Sequence, residues 1–173
     1  MGLGTKEETP IKLAVPNDLN EHKRQEVVEK LNPLVADAFA LYVKSKNFHW
    51  HLSGNHFRDY HLLFDEQADQ IFAMIDILAE RARKLGGTTI RSIGQINRLK
   101  SIEDSDEAFV EPEKMVQQLM NDNKEFVARL RNAHKACDDA YDVATSSILD
   151  TFIDEAERRV WFLFETIAGN ERK

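Results

Sequence analysis

Two pairs of candidate metal ligands on one predicted helix constrain this chain more than any other feature. His61 and Asp65 stand four residues apart, and so do Asp76 and Glu80. The stretch from Phe57 to Leu85 carries apolar residues at helical spacing and reads as one continuous helix. At 100° per residue the four ligands fall at about 0°, 40°, 60° and 100°, so they share one stripe. Along the axis the stripe is broken. The pair centres lie 15 residues apart, or roughly 22 Å at the helical rise. Metal–ligand bonds are about 2 Å long, so no single ion reaches both pairs of one rod. Two copies packed antiparallel about an axis near Gln70 and Ile71 would bring each pair onto its counterpart. Two identical sites would then form, each built by both chains, as an isologous contact requires.

The preceding helix supplies a fifth donor. It is expected to start at Asp18, with Glu21 completing a capping box, and to run to about Trp50. Val28, Leu31, Val35, Ala38, Tyr42 and Ser45 step along it by three and four, and the next step is His49. His49 therefore faces other protein. Pro33 removes one helical hydrogen bond and is expected to bend this helix. Ser53, Gly54 and Asn55 make a tight link, so the first two helices pack antiparallel. The second helix has Leu62, Leu63, Phe64, Ile71, Phe72, Ile75, Leu78 and Ala79 as its amphipathic positions, and Gly86 suits a left-handed cap.

Residues 88–111 are too many for a plain link between neighbours. They are expected to cross the bundle, with a short helix between Ile90 and Leu99. Pro112 suits the first turn of a third long helix, which carries Met115, Leu119, Phe126 and Leu130 and ends near Ala136. Asp138, Asp139 and Asp142 cluster before the fourth, as a helix N-cap or as acidic lining of a pore. Ile148, Phe152, Ala156, Val160, Leu163 and Ile167 form the stripe of that helix. The expected fold is all-α: a ferritin-like four-helix bundle over residues 18–169, with one crossover. Residues 1–17 read as an extended tail, and 170–173 as a short one.

Composition narrows the function. With 23 basic and 30 acidic residues the chain carries a formal charge of −7. That suits attraction of metal cations and does not suit non-specific binding to phosphates. One cysteine, Cys137, leaves no disulfide framework and no all-cysteine metal site. The N-terminus has no signal-peptide core, and Lys6 stands where a myristoylation motif wants Ser or Thr. No apolar run is long enough to span a membrane, so a cytoplasmic protein is expected. No Glu-x-x-His occurs, so the usual intrabundle di-iron motif is missing. Imidazoles with carboxylates suit iron, and Zn or Mn as substitutes.

The string His49-Trp50, ten residues, His61, three, Asp65, ten, Asp76, three, Glu80-Arg81, then Leu85-Gly86-Gly87, resembles the Dps family, the mini-ferritins. The resemblance covers about residues 20–168 and implies a hollow dodecamer. It implies ferroxidase sites at two-fold interfaces, with His49, His61 and Asp65 from one chain and Asp76 and Glu80 from its mate. Ferrous iron would be oxidised there by hydrogen peroxide or O2 and stored as ferric oxide, with Trp50 intercepting stray radicals. Acidic residues of the fourth helix line three-fold pores in such shells, and Asp142, Asp150 and Asp154 are the candidates here. Two departures stand out. His51 replaces the Asn of many relatives. The tail also lacks the lysines with which DNA-binding members compact DNA, so DNA is a disfavoured partner. Without the resemblance, His61 with Asp65 and Asp76 with Glu80 would each read as solvated surface pairs. Their common stripe weighs against that reading.

Overall fold

The computed structural model describes residues 10–168. Among these, five α-helices and one 3-10 turn form and no strand does. They are α1 (Glu21–His51), α2 (Phe57–Lys84), α3 (Ile93–Leu99), α4 (Pro112–Asp139) and α5 (Val143–Ile167). Helices α1, α2, α4 and α5 build the expected bundle, and α3 lies in the crossover against α1. Going back along α1 from His49 to Tyr42, the α2 partner moves forward from His61 to Phe72, and from Lys44 to Asp37 the α4 partner moves forward from Asp122 to Arg129, so α1 is antiparallel to both. Asn123 with Arg159, and His134 with Asp150, set α4 antiparallel to α5 in the same way.

Local chemistry explains the boundaries. The side chain of Asn20 accepts the Lys23 amide and caps α1, so the cap is Asn20 and not the expected Asp18. The helix runs on through Pro33. Gly54 in the first link has φ +121°, which only glycine adopts freely. α2 ends with Gly86 at φ +79°, the Gly86 amide on the Arg83 carbonyl and the Gly87 amide on that of Ala82. That is the left-handed cap expected from the sequence. Pro112 opens α4 as expected. The crossover helix falls within the expected span, starting at Ile93 because Ser92 caps it by accepting the Gln95 amide. α4 runs to Asp139, so Asp138 and Asp139 close that helix and do not start the next. Asp142 alone caps α5, through the Thr145 amide.

Residues 10–17 are tied to the bundle. The Leu13 carbonyl accepts from Arg83, that of Val15 from Arg24, and the Asn17 amide reaches the Lys84 carbonyl. Residues 1–9 and 169–173, with the rest of the expected tails, lie outside the described residues.

The core follows the predicted stripes, with informative exceptions. Val28, Leu31, Val35, Ala38, Phe64, Ile71, Leu78, Met115, Leu119, Phe126, Leu130, Phe152, Ala156 and Leu163 are buried. On α2, however, Leu62 and Phe72 are half exposed, on the ligand side of the helix. On α5 the guanidinium of Arg159 is buried, whereas its neighbour Val160 is only half-buried. Arg159 Nε donates to Asn123 Oδ1 at 2.8 Å, and Nη1 has no hydrogen-bond partner.

Candidate metal centre

The corner between α1 and α2 links three of the five predicted ligands in pairs, His49 against His61 and Asp65 near His49. His49 lies on the last turns of α1 and His61 on the second turn of α2, and their rings stack at 3.7 Å between centroids. Each ring is held by the backbone of the other's helix. His49 Nδ1 lies 2.8 Å from the His61 carbonyl, and His61 Nδ1 lies 3.0 Å from that of His49. A carbonyl accepts only, so both Nδ1 atoms carry the proton. Both Nε2 lone pairs are left for a metal ion. Phe57 stacks on the far face of His61 at 4.9 Å. The rings are thus fixed in orientation and tautomer before any ion arrives.

Asp65, one turn on from His61, places Oδ1 at 3.8 Å from His49 Nε2. Two donor atoms on one ion, each at about 2.1 Å, lie roughly 3–4 Å apart, so this gap fits a shared ion. The same oxygen accepts a hydrogen bond from the Lys46 ammonium, one turn before His49 on α1. That bond holds the Asp65 carboxyl below the usual carboxylate range, with His49, His61 and the Lys46 charge acting in the same sense. Sequence reasoning missed Lys46, although its spacing of three from His49 places it on the same face.

Asp76 and Glu80 stand on the far part of α2, both exposed. Glu80 pairs with Lys84 at 3.0 Å, a solvated contact of little energetic weight. Among the described residues no group of three or more His, Cys, Asp or Glu side chains is gathered within one chain to hold a metal ion. The five donors therefore divide into His49, His61 and Asp65 at one end of α2 and Asp76 and Glu80 at the other. Phe72 and Leu62 lie exposed on the same stripe, at about 20° and 100° from His61. Trp50 is 65% exposed beside the site, and His51, held to the Asn47 carbonyl, is exposed too.

The pore candidates separate. Asp142 is 2% exposed, bonded to Arg81 at 2.8 Å and to Thr145, and ties the end of α2 to the start of α5. Its carboxylate is spent on that internal network, so Asp142 is withdrawn from the pore set in favour of its N-cap role. Asp150 and Asp154 are exposed, and Asp150 pairs with His134 at 3.1 Å.

A four-helix bundle with a crossover, its candidate metal ligands on the outer face of α2 and at the end of α1, has the ferritin-like architecture, and among the described residues no group of metal-ligating side chains is gathered in its interior. The family model for the ferritin-like domain matches residues 28–172. Among relatives, the chain is 35% identical over 140 residues to the DNA protection during starvation protein of Brevibacillus brevis, covering 81% of this chain and 93% of that one. It is 31% identical over 154 residues to DNA protection during starvation protein 1 of Deinococcus radiodurans, covering 89% and 74%. The crystal structure of a Dps protein from Bacillus brevis superposes with a TM-score of 0.81 at 33% identity, over 84% of this chain and 97% of that one. The chain belongs to the Dps family of ferritin-like proteins.

Proposed function

We propose that this protein oxidises ferrous iron at sites shared between two subunits and stores the ferric product inside a hollow, dodecameric shell. Fe(II) is the substrate. His49 Nε2, His61 Nε2 and Asp65 of one subunit, with Asp76 and Glu80 of its mate, form the donor set. Two neutral imidazoles and three carboxylates suit iron, and admit Zn or Mn in its place. Anionic oxygens favour the ferric over the ferrous state, which drives oxidation. Five donors leave coordination positions open for hydrogen peroxide or O2. When peroxide takes one electron from each of two ferrous ions, both its oxygens leave as water or oxide and no hydroxyl radical is released. That chemistry would protect DNA without contact with it. Trp50 beside the site is placed to intercept stray oxidant.

One observation carries the reading: α2 presents half a ligand set at each end of one exposed face, with Phe72 and Leu62 uncovered between or beside them. Large apolar side chains exposed in a row mark an interface, and a second copy is the occupant that completes both sites. Asp150 and Asp154 remain the pore candidates. No helix among the described residues is long and apolar enough to cross a membrane, which accords with a place in the cytoplasm.

The test is oxidation of Fe(II) by peroxide added anaerobically. The protein should oxidise iron faster than buffer, and Asp76→Ala with Glu80→Ala should abolish the difference. Equal rates in protein and buffer would reject the reading. DNA compaction is the rival function. At charge −7 the expected result of a low-salt gel shift is free DNA, and retention in the well that fades with salt would revive it.

A further inference from the structure

One imidazole on the far side of the bundle has a carboxylate at each of its nitrogens. His134, near the end of α4, places Nδ1 at 3.2 Å from Asp138 Oδ2 and Nε2 at 3.1 Å from Asp150 Oδ1 on α5. A neutral imidazole carries one N–H and one lone pair, so it satisfies only one of these oxygens. The other nitrogen turns a lone pair toward an anionic oxygen, and a cation must lie between them. Asp138 stands one turn on along α4, and its other oxygen accepts from the Ser146 hydroxyl at 3.3 Å. With Asp138 so braced to accept the Nδ1 proton, Nε2 keeps the lone pair and aims it at Asp150. Carboxylate, imidazole and cation in that order is the arrangement that orients metal-ligating histidines.

The gap between Nε2 and Asp150 Oδ1 fits two donors on one ion, each at about 2.1 Å. Asp154, exposed one turn further along α5, offers another oxygen. The basic neighbour Arg131 is engaged by Glu157. The His134 side chain is 26% exposed and that of Asp150 68%, so the imidazole is braced while the carboxylate is open to arriving ions. Lys44 lies against Asp122 and Asp37 near Arg129, so His134, further along α4, falls toward the opposite end of the bundle from His49.

We infer that His134 Nε2 and Asp150 hold a divalent transition-metal ion on the α4–α5 face, with Asp138 as the positioning residue that orients the imidazole. An imidazole with carboxylate oxygen suits Zn, Co or Fe(II) over Mg or Ca. Two protein donors with water in the remaining positions make an exchangeable site. One chain supplies both, so this site needs no second subunit and does not depend on the shared sites proposed above.

Co(II) is the probe. Crystals of the full chain soaked in Co(II) should show anomalous density about 2.1 Å from His134 Nε2 and from an Asp150 oxygen. Anaerobic calorimetry should count about one Co(II) per chain fewer in His134→Gln than in wild type. Asp150→Asn, which leaves the imidazole in place, should show the same loss. Asp138→Asn keeps an oxygen acceptor and loses the charge, so it should weaken that ion on the order of tenfold at unchanged stoichiometry. A merely structural His134 would lower the melting temperature and leave the Co(II) count alone. Equal counts in wild type, His134→Gln and Asp150→Asn, or density at His49 and His61 with none at His134, overturns the inference, and the cation beside Asp150 is then a proton. Density at His134 with none at His49 and His61 would support this site and reject the shared one.

Discussion

A guanidinium 1% exposed at the middle of a helical bundle, with one side-chain amide oxygen and one sulfur as its partners, is costly. Burial brings the Arg159 guanidinium down to about 10, against the weak opposing pull of Glu155. It is still charged at neutral pH, so its desolvation is a standing penalty. Replacing both partners by apolar residues of similar volume should be neutral or stabilising. Arg159→Met with Asn123→Leu is expected to unfold at the wild-type denaturant midpoint or above it. Asn123→Leu alone should lose about 2–3 kcal/mol, because it takes the side-chain oxygen acceptor from a buried guanidinium. Urea unfolding of the three proteins measures this, and a double variant weaker than the single would refute it. Arg159 was not legible in the sequence. The stripe pointed to Val160, one position on, because a lone arginine between apolar residues gives no sign of which way it faces. Spacing alone put His61, Asp65, Asp76 and Glu80 on one stripe of α2 and His49 at the end of the α1 stripe, and the structure sets His49 against His61 and near Asp65. Lys46 lay outside the reading, since a lysine gives no sign of its acceptor until the partner helix is in place.

Between elements, a buried carboxylate is one of the ties that hold the crossover to α1, beside Lys44 on the Glu103 carbonyl and Asn47 on that of Ser105. Asp37 on α1 accepts the Ser101 and Ile102 amides, and Arg129 of α4 lies 3.5 Å from its other oxygen. Burial pushes its carboxyl up, outweighing the two amides and Arg129. A carboxyl raised in the folded state adds stability below its unfolded value of about 3.9 and loses it as pH rises through the folded value. Asp37→Asn keeps an acceptor and does not titrate. The unfolding free energy of the variant minus that of wild type should therefore be more favourable at pH 7 than near pH 4. Asp37→Ala, which orphans two amides, should cost about 2–3 kcal/mol and speed hydrogen exchange at Ser101 and Ile102. Unchanged exchange there would show that other contacts hold the crossover. The helix junctions offer a sharper probe. A Cβ on Gly87 would meet Val28 Cγ1 at 2.6 Å, so Gly87→Ala should cost about 1–3 kcal/mol by overpacking. Val28→Ala should recover part of that loss in the double variant, and strict additivity of the two losses would refute the contact. The sequence disclosed that Leu85-Gly86-Gly87 ends a helix, and Pro112 that one begins. It did not disclose that Gly87 seats α1 against α2, nor that Asn20 and Asp142 each cap a helix while Asp18, Asp138 and Asp139 do not. Caps are chosen by which side chain meets a free amide in three dimensions, and several acidic or amide residues in a row leave that choice open.

At the scale of the assembled molecule, the division of ligands between the ends of α2 makes a prediction that a single-chain site cannot imitate. Consider one variant lacking His49 and His61 and another lacking Asp76 and Glu80. Each alone should bind no Co(II) at the shared sites, because each removes one half of every such site. Dissociate the two, mix them in equal amounts and let them reassemble. In a mixed two-fold pair, one site combines both missing halves and the other combines both intact halves. Random pairing makes about half the pairs mixed, each with one live site of two, so roughly a quarter of the wild-type sites should return. Iron oxidation should return in the same proportion. A site completed within one chain would give no recovery, because each chain would carry its own defect into any pairing. The face that bears the ligands also bears Phe72 and Leu62, half exposed in the isolated chain. Phe72→Lys should therefore weaken the pairing itself, shifting the particle toward smaller species in sedimentation while the helical content of each chain is unchanged. Loss of recovery in a mixture of Phe72→Lys chains would then follow from the missing partner surface, with every ligand still in place.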